Sequence, residues 1–127
     1  VCAVMDARCS QVYNALFEIK SGVVTRLCDD RALSLDDLKN ELLSVDGRII
    51  IAGDGTDITC KYIGNEIKNA ESAPVNLKYQ RASSTALVAF EMINNGQTVS
   101  AQELMPVYLR LPQAQRELNK KLGGRTK

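Results

Sequence analysis

The sequence has 127 residues, of which 45% are hydrophobic and 24% charged, and its formal net charge is +1. That length suits a single domain burying roughly two-thirds of its unfolded surface without staples. Near-neutrality argues against a dedicated nucleic-acid binder, and no apolar run approaches the roughly 20 residues needed to span a bilayer. The chain has no histidine, which removes Ser-His and Cys-His nucleophile pairs and any histidine general base. Cys2, Cys9, Cys28 and Cys60 form no C-x-x-C pair and have no histidine to complete a zinc set. They read as reduced, mostly buried thiols of a cytoplasmic protein. No signal peptide is visible, and the chain opens on an apolar run with no initiator methionine, which reads as a fragment boundary.

In chain order, residues 1–5 (VCAVM) suit a buried strand. Residues 11–20 fit either a strand, with Tyr13, Ala15, Phe17 and Ile19 on one face, or a helix striped by Val12, Leu16 and Ile19. The Ser21-Gly22 turn and the β-rich residues 23–28 decide for a hairpin. Ser34, with Asp37 three residues on, nearly makes a capping box, and Leu35, Leu38, Leu42 and Val45 form one helical face. Asp46-Gly47 ends that helix. The unbroken run 48–52 (RIIIA) predicts a parallel strand covered on both faces.

Gly53-Asp54-Gly55 then turns the chain, and Thr56 or Asp57 is placed to cap a helix running to about Gly64. The polar residues 65–73 predict a loop broken at Pro74, and Val75, Leu77 and Tyr79 alternate as in a short strand. Ser83 or Ser84 caps a helix whose Ala86, Ala89, Phe90 and Ile93 share a face, with Asn95-Gly96 at its end. Residues 105–110 (MPVYLR) read as a short edge strand opened by Pro106. Residues 113–127 carry Arg116, Lys120, Lys121, Arg125 and Lys127 against the single acid Glu117, and no aromatic there offers a base a stacking surface. The sum is one mixed α/β domain over residues 1–127, a sheet with flanking helices.

Three segments carry candidate chemistry. Asp6-Ala7-Arg8 places a carboxylate and a guanidinium two residues apart, enough to brace a turn. Gly53-Asp54-Gly55 lies between a strand and a helix, where α/β folds bind phosphate. It lacks the Lys-Ser/Thr of a P-loop and the third glycine of a dinucleotide fingerprint, and Asp54 would repel phosphate. Gly53, Asp54 and Gly55 are therefore weak nucleotide candidates and read first as a tight turn. Arg110 is placed to pair with a carboxylate, and Tyr108 reads as half-buried packing. The acid pairs Asp29-Asp30 and Asp36-Asp37 read as solvated, the second complementing a helix dipole, so no metal is expected. No serine dyad or zinc set supports a protease.

Taken in this order, Asp6-Ala7-Arg8 with Tyr13, Gly53-Asp54-Gly55, and Pro106-Val107-Tyr108-Leu109-Arg110 resemble the TsaB family, formerly named YeaZ. The resemblance covers nearly the whole chain, but only the second half of the family's usual length. Cys9-Ser10-Gln11 stands where many relatives have a glycine and an acidic residue. The resemblance implies an RNase H-like lobe of the actin-like ATPase superfamily of sugar kinases, Hsp70 and actin, with the first lobe absent. It implies a non-catalytic scaffold and activator in the synthesis of threonylcarbamoyladenosine beside the tRNA anticodon. Its partners would be the catalytic subunit TsaD and the ATPase TsaE, with tRNA contacted indirectly. The family's glycoprotease label would come from its catalytic relative. Asp6, Arg8, Tyr13, Pro106, Tyr108 and Arg110 would be architectural family marks, and any ATP would belong to the intact complex. The face normally covered by the first lobe would be apolar and self-associating. The alternatives are a nucleotide-binding lobe of an actin-like kinase and an RNase H-like nuclease, for which Asp6 and Asp54 are the only plausible metal pair.

Overall fold

The computed structural model describes residues 1–110, so the basic stretch 113–127 lies outside the described residues. Strand β1 (Cys2–Asp6) pairs antiparallel with β2 (Gln11–Lys20), bringing Met5 opposite Tyr13 and Asp6 opposite Val12. The strand alternative for residues 11–20 is the one adopted, and β3 (Val23–Arg26) closes the hairpin. Ser21 and Gly22 both take positive φ, 50° and 81°, as a two-residue turn matching strand twist requires.

The far edge of β2 is shared. Its second half pairs with β3 and its first half with β4 (Arg31–Ser34), a strand not foreseen from the sequence. On the other side of β1 lie β5 (Ile49–Ala52) and then β6 (Ala70–Ser72), both parallel, giving the order β3-β2-β1-β5-β6. β5 thus has a parallel neighbour on each side, as its unbroken apolar run predicted, but only one of its faces is fully covered among the described residues: Ile49 and Ile51 are buried, whereas Ile50 and Ala52 are half-buried.

Helices α1 (Leu35–Leu42) and α2 (Thr56–Ile63) bear on the core. Ser34 caps α1, its hydroxyl accepting the Asp37 amide at 3.0 Å and donating to the Asp37 carboxylate at 2.6 Å. Residues at period two along the strands (Cys2 and Val4, Val12 and Leu16, Ile49 and Ile51) join Leu38, Leu42 and Ile63 in one buried cluster. Asn14 also points inward and is 4% exposed. Its amide nitrogen donates to Ala3 O at 3.0 Å. Its oxygen accepts Arg31 Nε at 3.2 Å and Nη2 at 3.0 Å, and Arg31 reaches Glu41 at 2.6 Å. A buried amide is tolerated when its polar atoms are satisfied in this way. The network also ties β2 and β4 to α1.

Four expectations are corrected. The predicted loop 65–73 contains β6, anchored by buried Ile67 and Ala73, with Glu71 facing out to pair with Arg48. The predicted strand at Val75 is instead the one-turn helix α3 (Val75–Lys78), since β6 already occupies the sheet edge and Val75 is 84% exposed. Helix α4 (Ala82–Asn94) starts after Arg81, which places Ser83 and Ser84 inside its first turn rather than at its cap; Asn95 and Gly96 do end it. Residues 105–110 run without strand pairing, and Tyr108 is 84% exposed rather than half-buried. Pro106 has no N–H to offer a ladder.

Cys2 is fully buried, and loss of hydration pushes its thiol pKa up to about 12 from an ordinary 9.0. A pKa raised by folding stabilises fully below the unfolded value and is lost as pH climbs through the folded one. Stability contributed by Cys2 should therefore fall between about pH 9 and about pH 12. Urea midpoints of wild type and Cys2→Ala should converge as pH rises through that window. Parallel curves would contradict this.

Candidate functional site

The candidate site is built where β1 ends. Asp6 is the last residue of β1, and its carboxylate accepts the Arg8 amide at 2.7 Å and meets Arg8 Nη1 at 3.3 Å. The Arg8 side chain is 85% exposed, so the ion pair contributes little and the amide bond does most to fix the turn. The turn closes with Ala7 N–H donating to Gln11 O at 3.0 Å, and Ser10 O accepts the Leu35 amide at 3.0 Å. To achieve this, Arg8, Cys9 and Ser10 all adopt left-handed backbone, at φ 63°, 54° and 56°.

A left-handed conformation costs a residue with a Cβ roughly 1–2 kcal/mol, and glycine gives back about 0.5–1 kcal/mol through the unfolded state. Cys9→Gly should therefore stabilise the chain by up to about 1 kcal/mol, raising its thermal midpoint by several degrees. An unchanged or lowered midpoint would count against strain in this turn.

Gly53-Asp54-Gly55 packs against this same strand end. The Gly55 amide donates to Val4 O at 3.2 Å, and the Gly53 amide donates to Lys78 O at 2.6 Å. The Asp6 amide donates to Asp54 Oδ1 at 3.2 Å. Gly53 has φ +118°, and a Cβ there would fall 1.9 Å from Val4 O. Thr56 and Asp57, the two alternatives for a cap, are instead the first two residues of α2, and Gly55 takes the cap position. Thr56 and Thr59, both fully buried, donate their hydroxyls to Gly53 O at 2.7 Å and Gly55 O at 2.8 Å. Thr56 N–H also donates to Gly53 O at 3.2 Å. Three amides of the turn, at Gly53, Gly55 and Thr56, are thus committed to backbone carbonyls.

The C-terminal motif returns to this place. Arg110 Nη1 donates to Ala7 O, a carbonyl instead of the carboxylate foreseen. Tyr13, Gly53, Tyr108 and Arg110 line one groove of about 730 Å³ on the sheet face opposite the core. Pro106 lies outside its lining, and Asp6 and Arg8 sit in the adjoining turn. Sequence reasoning overlooked Lys78, whose side chain is 12% exposed, pairs with Asp57 and lies 5.3 Å from the centre of the Tyr79 ring. The Asp57 hydrogen bond, ahead of its charge, raises the Lys78 pKa above the usual lysine value.

Three acids of the two pairs weighed as metal ligands are taken up locally. Asp30 meets Arg26 at 2.7 Å, Asp36 accepts the Tyr62 hydroxyl at 3.0 Å, and Asp37 holds Ser34. Among the described residues no three Cys, Asp or Glu side chains gather as a metal site. Nor is any helix among them long and apolar enough to cross a membrane.

No family model and no curated protein matches the chain. Solved structures do match it. YeaZ from Pseudomonas aeruginosa aligns over 85% of this chain with a TM-score of 0.59 at 19% identity. A crystal structure of an uncharacterized protein with similarity to peptidase YeaZ, from the same organism, aligns over 86% with a TM-score of 0.58 at 19% identity. In both cases the chain spans 48% of its neighbour's length. The resemblance carried by the sequence motifs thus meets structural neighbours bearing the YeaZ name, and the fold of this chain is that of about half a YeaZ chain.

Proposed function

We propose that this chain is the second, RNase H-like lobe of a two-lobed TsaB-like protein of the actin-like superfamily. In this reading it is a non-catalytic scaffold for tRNA threonylcarbamoyladenosine synthesis, acting in the cytoplasm beside a TsaD-like catalytic subunit and a TsaE-like ATPase. Supporting it are the YeaZ neighbours and the strand order, with one antiparallel strand between the hairpin edge and three parallel strands. The observation that carries the non-catalytic half is the use made of the turn at Gly53. Its glycine amides hold Val4 and Lys78 carbonyls, and the Asp54 carboxylate holds the Asp6 amide. Donors spent on the fold are not available to cradle a phosphate.

On this reading Asp6, Arg8, Tyr13 and Arg110 are architectural. Asp6 and Arg8 shape the turn, Arg110 latches the C-terminal motif to Ala7, and Tyr13 packs opposite Met5. The two-lobed protein should bind a TsaD-like subunit in gel filtration, and calorimetry should detect no ATP binding to it alone. ATP binding by the isolated protein, lost on changing the glycines of the Gly53-Asp54-Gly55 turn (Gly55→Ala being the substitution the backbone tolerates), would favour the kinase-lobe alternative instead.

A further inference from the structure

The two edges of the sheet are finished differently. At one edge β6 is three residues long, its Glu71 is paired with Arg48, and Pro74 follows it. Short length, charge and proline are the usual guards against a further strand. At the other edge β3 reads Val-Val-Thr-Arg, and every one of its residues is exposed. Ile19, Val23, Val24 and Leu27 each leave 56–63% of their surface to solvent. The single charge of β3 is turned aside, since Arg26 lies 4.8 Å from the centre of the Phe17 ring and bonds Asp30 at 2.7 Å. It does not guard the edge.

The ladder with β2 fixes which backbone groups of β3 are free. In an antiparallel pair, facing residues alternate between those that exchange hydrogen bonds and those that do not. Leu27 N–H donates to Leu16 O at 2.8 Å. Counting from there toward the Ser21-Gly22 turn, the bonded pairs are Glu18 with Thr25 and Lys20 with Val23. Val24 and Arg26 therefore point their N–H and C=O groups away from β2. Among the described residues no hydrogen bond reaches those groups from outside. Such a row of donors and acceptors is met by one thing, another extended backbone.

Charge narrows the choice of backbone. Lys20 is taken up by Glu18 at 2.9 Å, and Arg26 by Asp30. Asp29, in the segment leaving β3, enters no ion pair among the described residues. The edge is thus apolar along the strand and acidic at its end.

We propose that β3 is the docking edge for an extended, basic segment of a partner protein, which joins the sheet as a further strand by bonding Val24 and Arg26 and sets a lysine or arginine against Asp29. Main-chain bonds supply the affinity and the side chains the selectivity. The partner is defined by backbone and charge alone, so this edge stands or falls separately from the assignment to tRNA modification.

The probe is a labelled Lys-Val-Thr-Val-Lys-Val-Thr peptide, titrated against the 127-residue chain and followed by fluorescence anisotropy. Binding is expected with a dissociation constant on the order of 100 μM, the scale of a small transient interface. Hydrogen exchange at the Val24 and Arg26 amides should slow when the peptide is bound. Val24→Pro removes an outward N–H and spares the ladder with β2, because an edge position of this kind tolerates proline. It should weaken binding at least about tenfold. Exchanging the peptide lysines for glutamates should weaken binding several-fold, and Asp29→Lys should restore it. A dissociation constant above about 1 mM would overturn the proposal. So would exchange that slows elsewhere but not at Val24 and Arg26, or affinity indifferent to Val24→Pro. A dimer of the chain joined at β3 would overturn it too, by making a second copy the occupant.

Discussion

Gly53→Ala is expected to abolish the native fold. The new methyl group would lie 1.9 Å from Val4 O and 2.9 Å from Val4 C, at a backbone φ of +118°. Both objects in the way are main chain, so no rotamer change relieves the contact. Either the turn must leave β1 or β1 must part from β5, and both lie at the centre of the sheet. Losses above about 4 kcal/mol belong to such cases, and a domain of this kind has only about 5–15 kcal/mol in total. Expression should give aggregated or non-cooperative protein. Gly55→Ala is the internal control, because its φ is −80° and its added Cβ would lie 3.1 Å from the nearest atoms. A cost of about 1–3 kcal/mol is expected there. Cooperative urea unfolding of Gly53→Ala at a near-normal midpoint would contradict the packing described for this turn.

Leu38→Ala should be the next most damaging change. Leu38 is fully buried and sits on α1 among Leu42, Val12, Ile51 and their neighbours. Truncation removes its transfer free energy and leaves a cavity, at a cost of about 2–5 kcal/mol. Leu43, one residue beyond the helix and 53% exposed, provides the contrast. Its alanine variant should lie within about 0.5 kcal/mol of wild type. Equal losses at the two positions would mean that α1 is not seated on the sheet as described.

What the sequence revealed followed from local physics. The capped helix at Ser34 and the apolar run 49–51 were legible because cap chemistry and burial pattern agree with the final environment. The hairpin was legible through its Ser21-Gly22 turn. β4 escaped because its four residues earn their strand state from pairing with β2, and a short segment of that composition has no period of its own. β6 and α3 were misread for a related reason. The polar residues 70–72 extend because β5 offers them an open parallel edge, and Pro74 then diverts the alternating segment away from the sheet.

The motif residues were legible as a set, whereas their contacts were not. That Asp54 would accept the Asp6 amide, or that Arg110 would reach Ala7 O across 103 positions, depends on tertiary closure. The part-buried Asn14–Arg31–Glu41 network could have been suspected only from an amide at an inward position of β2. Three consecutive non-glycine residues with positive φ at Arg8, Cys9 and Ser10 could not have been.

The central claim is that this fold holds a working neighbour in place and carries out no phosphate chemistry itself. The most direct measurement is a reconstituted tRNA-modification assay in which the two-lobed protein carrying this sequence is added to, or withheld from, TsaD-like and TsaE-like subunits. The account predicts that modification requires the protein, that Asp54→Ala leaves the rate unchanged once folding is confirmed, and that the protein turns over no ATP alone. Modification proceeding equally without it, or ATP hydrolysis by the isolated protein lost with Asp54, would contradict the account.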